Sequence, residues 1–166
     1  MATTLIDTGK VRDRRALHFN TLEEMWADVK RIAAAEWAGK LRRTGNWSAG
    51  QTFGHLAAWA DFAFDGYPPD MKLPWFIKLF LKLRKKQFLR GPLPAGVKIP
   101  HVAGGTKGIE PLSLEEGMVR LCRAIIRLQA SPPGTANVIF GSLTHEQWKA
   151  LHLRHAELHL SFLHPE

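Results

Sequence analysis

Four times along the chain a Ser or Thr is followed three residues later by Glu or Gln: Thr21/Glu24, Ser48/Gln51, Ser113/Glu116 and Thr144/Gln147. In this arrangement each side chain satisfies a backbone N–H that the first turn of a helix leaves without a partner, so each pair marks a helix start. A helical-period apolar stripe about four turns long follows each one. In the first helix, roughly 21–38, Leu22, Met25, Trp26, Val29, Ile32 and Ala33 recur at three- and four-residue steps. In the third, roughly 113–130, Leu114, Met118, Leu121, Ile125 and Leu128 do the same. Gly39 closes the first helix, Gly66 with Pro68 and Pro69 the second, and Pro132-Pro133-Gly134 the third, as expected where a helix must stop. No strand pattern competes, and the expected class is all-α.

Loop lengths constrain the topology. The short joins near 39–47 and 131–143 favour antiparallel neighbours for the first helix with the second and the third with the fourth. The join over 67–112 is long enough to return along the bundle, which lets the second and third helices point the same way. It also has room for an extra amphipathic helix at about 74–89. The expectation is an up-down-down-up four-helix bundle whose crossover carries that extra helix and an extended Gly- and Pro-rich remainder. At 166 residues, one domain spanning 1–166 accounts for the chain.

A single cysteine, Cys122, cannot form an internal disulfide, and MATTLIDTGKVRDRR lacks the apolar run of a secretory signal. A cytoplasmic home is expected. The most apolar segment, LPWFIKLFLKLRKKQFL, is broken by Lys78 and Lys82 and does not read as a transmembrane helix. Of the formal net charge of +8, seven cations fall within residues 72–90 with no acid among them: Lys72, Lys78, Lys82, Arg84, Lys85, Lys86 and Arg90. Such a patch calls for a local explanation rather than polyanion binding by the whole domain.

On the fourth helix, taken at about 100° per residue, His152, His155 and His159 fall inside the apolar stripe with Trp148, Leu151, Leu158 and Phe162. On the second helix His55 shares its side with Ala58, Trp59, Phe62 and Gly66 and also points inward. Residues four apart stand one turn above each other, so the imidazoles of His155 and His159 can converge on one ion while the backbone stays regular. A third imidazole from another helix completes a set that leaves a coordination position for water or substrate. The competing reading is a group of hydrogen-bonded core histidines, and spacing alone leaves both open.

The segment Gly45-Asn46-Trp47-Ser48-Ala49-Gly50-Gln51 leading into Gly54-His55-Leu56-Ala57 resembles the start of the second helix in DinB-like (DinB/YfiT) proteins. Phe140-Gly141-Ser142-Leu143-Thr144, Trp148 and the run His152-Leu153-Arg154-His155-Ala156-Glu157-Leu158-His159-Leu160 are similar to an uncharacterised bacterial subgroup of that superfamily. Arg14-Arg15-Ala16-Leu17-His18-Phe19 resembles its lead-in to the first helix, and Leu93-Pro94-Ala95-Gly96 its Pro-rich join. The resemblance covers nearly the whole chain. It implies a four-helix bundle that binds a divalent metal, nickel or zinc, through one histidine of the second helix and an H-x-x-x-H pair of the fourth. Those positions are His55, His155 and His159. The superfamily includes thiol-dependent S-transferases and isomerases and hydrolase-like members, so the resemblance implies a small-molecule substrate or a low-molecular-weight thiol, with no catalytic residue assigned.

Several residues compete for a place at such a site. His152, one turn before His155, is the rival ligand or a donor behind the ligands, and Glu36 on the inward side of the first helix could orient an imidazole or act as a base. Glu157 lies nearly opposite His155 and reads as solvated or paired with a base. Cys122 reads as a structural thiol, and Trp26, Trp37, Trp59 and Trp148 as core. The basic helix reads as a lid over the metal site that attracts an anionic substrate. The alternative is a non-catalytic metal-binding protein whose basic helix meets an anionic membrane or a partner. No nucleic-acid-binding module is recognisable, so nucleic acid is not an expected partner, and an exposed bundle face can pair two copies into a homodimer.

Overall fold

The computed structural model describes residues 5–69, 71, 74–100 and 102–166. Six α-helices dominate them: α1 (Leu22–Trp37), α2 (Ala49–Asp65), α3 (Trp75–Leu83), α4 (Lys85–Arg90), α5 (Leu114–Ala130) and α6 (His145–Leu160). The chain is mostly helical, as expected. All four expected helix starts are present. Ser48/Gln51, Ser113/Glu116 and Thr144/Gln147 form complete reciprocal boxes. At α1 the Thr21 hydroxyl accepts from the Glu24 N–H, but the Glu24 carboxylate reaches one residue further back and accepts from the Asn20 N–H at 2.7 Å. The end of α1 closes on Gly39 in the left-handed region at φ 67, where Gly39 N–H donates to the Glu36 carbonyl and Lys40 N–H to the Ala35 carbonyl.

The core is built from the expected stripes. Val29 and Ile32 of α1, Phe53 of α2, Leu128 of α5, and Trp148 and Leu160 of α6 are its largest fully buried side chains. The helices α2 and α5 approach backbone to backbone, because Gly50, Gly54 and Gly117 stand where they meet. A methyl group on Gly50 would overlap the Leu112 and Ser113 carbonyls, one on Gly54 the Leu112 side chain, and one on Gly117 the Gly50 backbone. At the other end of the pair, Arg127 of α5 holds Asp65 of α2 with two hydrogen bonds at 3.0 and 2.7 Å.

The segment before α1 is tied to the end of α6. Arg15 donates to both Asp28 carboxylate oxygens and to the Leu160 carbonyl, while Phe19 N–H donates to the Glu157 carboxylate. Glu157 is therefore neither solvated nor spare: it is buried and ion-paired with the equally buried Arg154 at 2.6 Å, as the alternative of a neighbouring base foresaw.

Three expectations need correction. Two three-residue strands exist, β1 (Leu41–Arg43) and β2 (Leu163–Pro165), paired antiparallel with Arg42 opposite His164. They form because the segments leaving α1 and α6 are brought together, and three residues are too few to leave an alternating pattern. The extra helix is two helices, since Arg84 leaves helical geometry at φ −96, ψ 8. Beyond that break, α4 turns Phe88 onto the Phe140 ring. Trp37 is 61% exposed and donates its indole N–H to Glu115, so it is not core; Trp148 is. Lys72 of the basic patch lies outside the described residues. Among the described residues no helix is long and apolar enough to cross a membrane.

If backbone contact between α2 and α5 sets the packing, Gly50→Ala and Gly117→Ala each destabilise by about 1–3 kcal/mol through overpacking. Gly134, with nothing near its Cβ position, tolerates alanine. Urea denaturation of the three variants checks this, and equal stabilities would remove the close approach as a constraint.

Candidate metal centre

The site forms where the first turns of α2 meet the last turns of α6. Glycines at 50 and 54 let the segment before α5 lie directly on α2. Just upstream, Gly108, in the left-handed region at φ 72, sits against Ala58 and the His55 backbone; a Cβ there would clash with the Ala58 methyl at 2.6 Å. This places the Lys107 carbonyl 2.8 Å from His55 Nδ1. A carbonyl only accepts, so Nδ1 carries the proton and His55 Nε2 keeps its lone pair.

That bare nitrogen points at the other imidazoles. His155 Nε2 is 3.2 Å away, and the His159 ring centroid lies 4.5 Å from that of His55 and 4.6 Å from that of His155. One ligand nitrogen from each residue falls within 4.8 Å of the others, and His55, His155 and His159 are the three so grouped among the described residues. Nitrogens bound at about 2.0–2.1 Å to a tetrahedral ion stand about 3.3–3.4 Å apart. The His55–His155 separation of 3.2 Å is close to that value, and the nitrogen of His159 lies within 4.8 Å of the other two.

The electrostatics suit a ligand set. Burial pushes the His55 imidazole down to about 4, although its bond to the Lys107 carbonyl acts the other way. Burial holds His155 and His159 well below the ordinary histidine range. Neighbouring imidazoles add to this for both residues, and the Arg14 guanidinium does so for His159. All three are neutral near pH 7, which is the form that donates a lone pair.

The walls are aromatic. Trp47 stacks on His159 with ring centroids 5.1 Å apart and tilts against His55 at 4.8 Å, while Trp59 meets His155 edge-on at 5.4 Å. The Trp59 indole nitrogen is buried without a hydrogen-bond partner, an unused donor beside the imidazoles. Trp59 is thus part of the site wall rather than plain core.

His152 falls outside the ligand group. Its ring stacks on Trp148, and it lines an apolar cavity with Leu56, Leu121 and Ala156. Glu36 also falls outside it, and the partner that orients His55 is the Lys107 carbonyl. Of the helix expected as a lid, the α4 part lies against the first half of α6, where Leu89 and Arg90 line a groove with Glu146, Lys149 and Ala150, and the Lys107–Gly108 segment is what lies on His55. Sequence reasoning passed over Trp47, whose signal was its place in the Gly45-Asn46-Trp47 motif. It could not have found the Lys107 carbonyl, since every residue has one.

A protein-family model described as "Protein of unknown function (DUF1569)" matches residues 11–166. The chain belongs to that family. No curated protein and no solved structure matches it. The match to the DUF1569 family spans every residue of the site, from the Arg14 guanidinium to His159.

In the metal-free DUF1569 protein, three imidazoles that titrate below their ordinary value bind fewer protons folded than unfolded as pH falls. Stability is therefore undiminished above about pH 7 and declines as pH drops from 6.5 toward about 4, with His55 alone contributing on the order of 3 kcal/mol to the loss. Urea denaturation of chelator-treated protein across that window tests this. His55→Gln flattens the decline, and an unchanged slope would show that His55 is not held neutral.

Proposed function

We propose that this protein is a metal-dependent enzyme of the DinB-like kind, in which His55, His155 and His159 hold one divalent ion, nickel or zinc. The observation that carries this reading is the His55 tautomer: Nδ1 is occupied by the Lys107 carbonyl, and Nε2 faces two further neutral imidazoles. Core histidines that serve only as hydrogen-bonding groups have no need to cluster three together at a depth where none can be charged.

The up-down-down-up bundle is part of the same proposal. Several contacts support it: α2 and α5 meet start to start at Gly50 and Gly117, and end to end at Asp65 and Arg127. His145 at the start of α6 reaches the Leu128 carbonyl near the end of α5, and Trp37 at the end of α1 reaches Glu115 at the start of α5. In this arrangement the site sits at one end of the bundle, between two of its long helices.

A divalent ion in such a site supplies Lewis acidity and lowers the pKa of a bound water or thiol. The chain's own residues do the rest. Lys107 fixes His55 through its carbonyl, Trp47 braces His159, and Trp59 lies edge-on to His155. The free Trp59 N–H can orient an acceptor atom of a small substrate. These features fit transfer of a low-molecular-weight thiol to a small electrophile, or hydrolysis of one.

Elemental analysis of purified protein is expected to find about one equivalent of nickel or zinc per chain. His55→Ala and His159→Ala each weaken metal binding by more than the roughly 10–100-fold typical of losing a group behind the ligands. Wild-type protein that takes up neither metal under titration would overturn the proposal. Gly108→Ala, which displaces the Lys107 carbonyl while leaving all three imidazoles in place, lowers metal affinity by about 10–100-fold; isothermal titration measures it, and unchanged affinity would remove the carbonyl's role.

A further inference from the structure

The helix α3 has no buried residue. Trp75, Phe76, Leu79, Phe80 and Leu83 are each 53 to 80% exposed. At about 100° per residue they fill one arc of about 140°. Ile77 and Leu81, which are only half exposed, lie on the other side, toward the protein. A large aromatic and aliphatic arc facing outward on a helix this short is not a folding requirement, since the core is complete without it.

Its surroundings carry charge of one sign. From Met71 to Ile109 the chain has no Asp or Glu. Lys82, Arg84 and Lys86 are exposed directly after the apolar arc, as is Arg90 at the end of α4. Among the described residues no acid forms an ion pair with any of these four. Arg84 instead lies over the Phe80 ring, its guanidinium 5.0 Å from the centroid. On α4 the apolar residues Phe88 and Leu89 turn inward, and Lys86 and Arg90 are left facing out.

We propose that α3 is an interfacial anchor that lays its Trp75–Leu83 face into an anionic phospholipid surface while the cations of α3 and α4 meet the headgroups. Nine residues make a helix about 14 Å long, under half the thickness of a bilayer's hydrocarbon core, so α3 lies in the surface and does not cross it. Charge complementarity selects lipid over a protein partner. A cationic segment with no acid of its own matches a uniformly anionic plane, and Trp and Phe belong at the headgroup boundary. The same chemistry brings the metal site close to membrane-borne or amphiphilic small molecules, but the anchor does not depend on what that site does.

Co-sedimentation of the full chain with phosphatidylcholine vesicles, with and without phosphatidylserine, tests it. Binding is expected to the anionic vesicles only and to weaken as salt rises. Lys82→Glu/Lys86→Glu/Arg90→Glu lowers partitioning at least about 100-fold, at about fivefold per cation. Trp75→Ser/Leu79→Ser/Leu83→Ser abolishes it with thermal melting unchanged, because these side chains are exposed and outside the core. No binding to anionic vesicles at low salt would overturn the proposal. So would binding that survives the apolar substitutions, which would mean headgroup adsorption without insertion. A dimer in sedimentation velocity that the apolar variant dissolves, with no vesicle binding, would assign the face to a second copy of the chain instead.

Discussion

Backbone lying on backbone between α2 and the start of α5 is the constraint on which the rest of the structure depends. Gly50, Gly54 and Gly117 let the Leu112–Ser113 carbonyls and the α2 backbone come closer than any side chain would allow. That approach fixes where the crossover ends, and so where its last residues run. Gly108 then packs against Ala58, and the Lys107 carbonyl lands on His55 Nδ1. An ordinary packing distance between α2 and α5 would carry that carbonyl away from the ring. The chemistry of the site therefore begins with missing side chains some distance from it.

The second constraint is desolvation. Imidazole gives up its charge cheaply, which makes it the one basic side chain that can be clustered in threes without counter-charges. The buried acids of this protein show the contrast: Asp28 is held by Arg15 and Arg31, and Glu157 by Arg154 and the Phe19 N–H, each with its hydrogen-bonding capacity taken up. Around His55, His155 and His159 nothing plays that part. Two indoles and a carbonyl surround them, and the His55 Nε2 lone pair is directed at His155 Nε2.

The helix starts were legible in the sequence because capping is local: a hydroxyl and a carboxylate or amide three residues apart act on backbone in their own turn. The inward phase of the histidines was legible for the same reason, since helical period fixes direction before any packing occurs. What could not be read depended on contacts distant in the chain. The pairing of Leu41–Arg43 with Leu163–Pro165 needs the ends of α1 and α6 side by side, and the exposure of Trp37 follows from its reach to Glu115. Helical periodicity runs unbroken through Arg84 while the backbone does not. Trp59 has the same spacing signature as a core residue, and only the imidazoles beside it distinguish its role.

The position of the basic segment changes how its charge should be understood. Had it covered the imidazoles, its cations would have disfavoured a bound metal ion and favoured an anionic substrate together. Instead α4 rests against Glu146, Lys149 and Ala150, which precede His155 by nine, six and five residues, about 8 to 14 Å along α6. The two chemically marked regions are nonetheless distinct: a neutral, aromatic-walled nitrogen cluster on the second half of α6, and a basic segment whose α4 lies on its first half. A cation that does bias the cluster is Arg14, whose guanidinium is fixed on the Ser161 hydroxyl and the Phe162 ring beside His159. Its fixed positive charge adds to burial and to the neighbouring His55 ring in disfavouring protonation of His159, an effect that acts through the fold itself rather than through the basic helix.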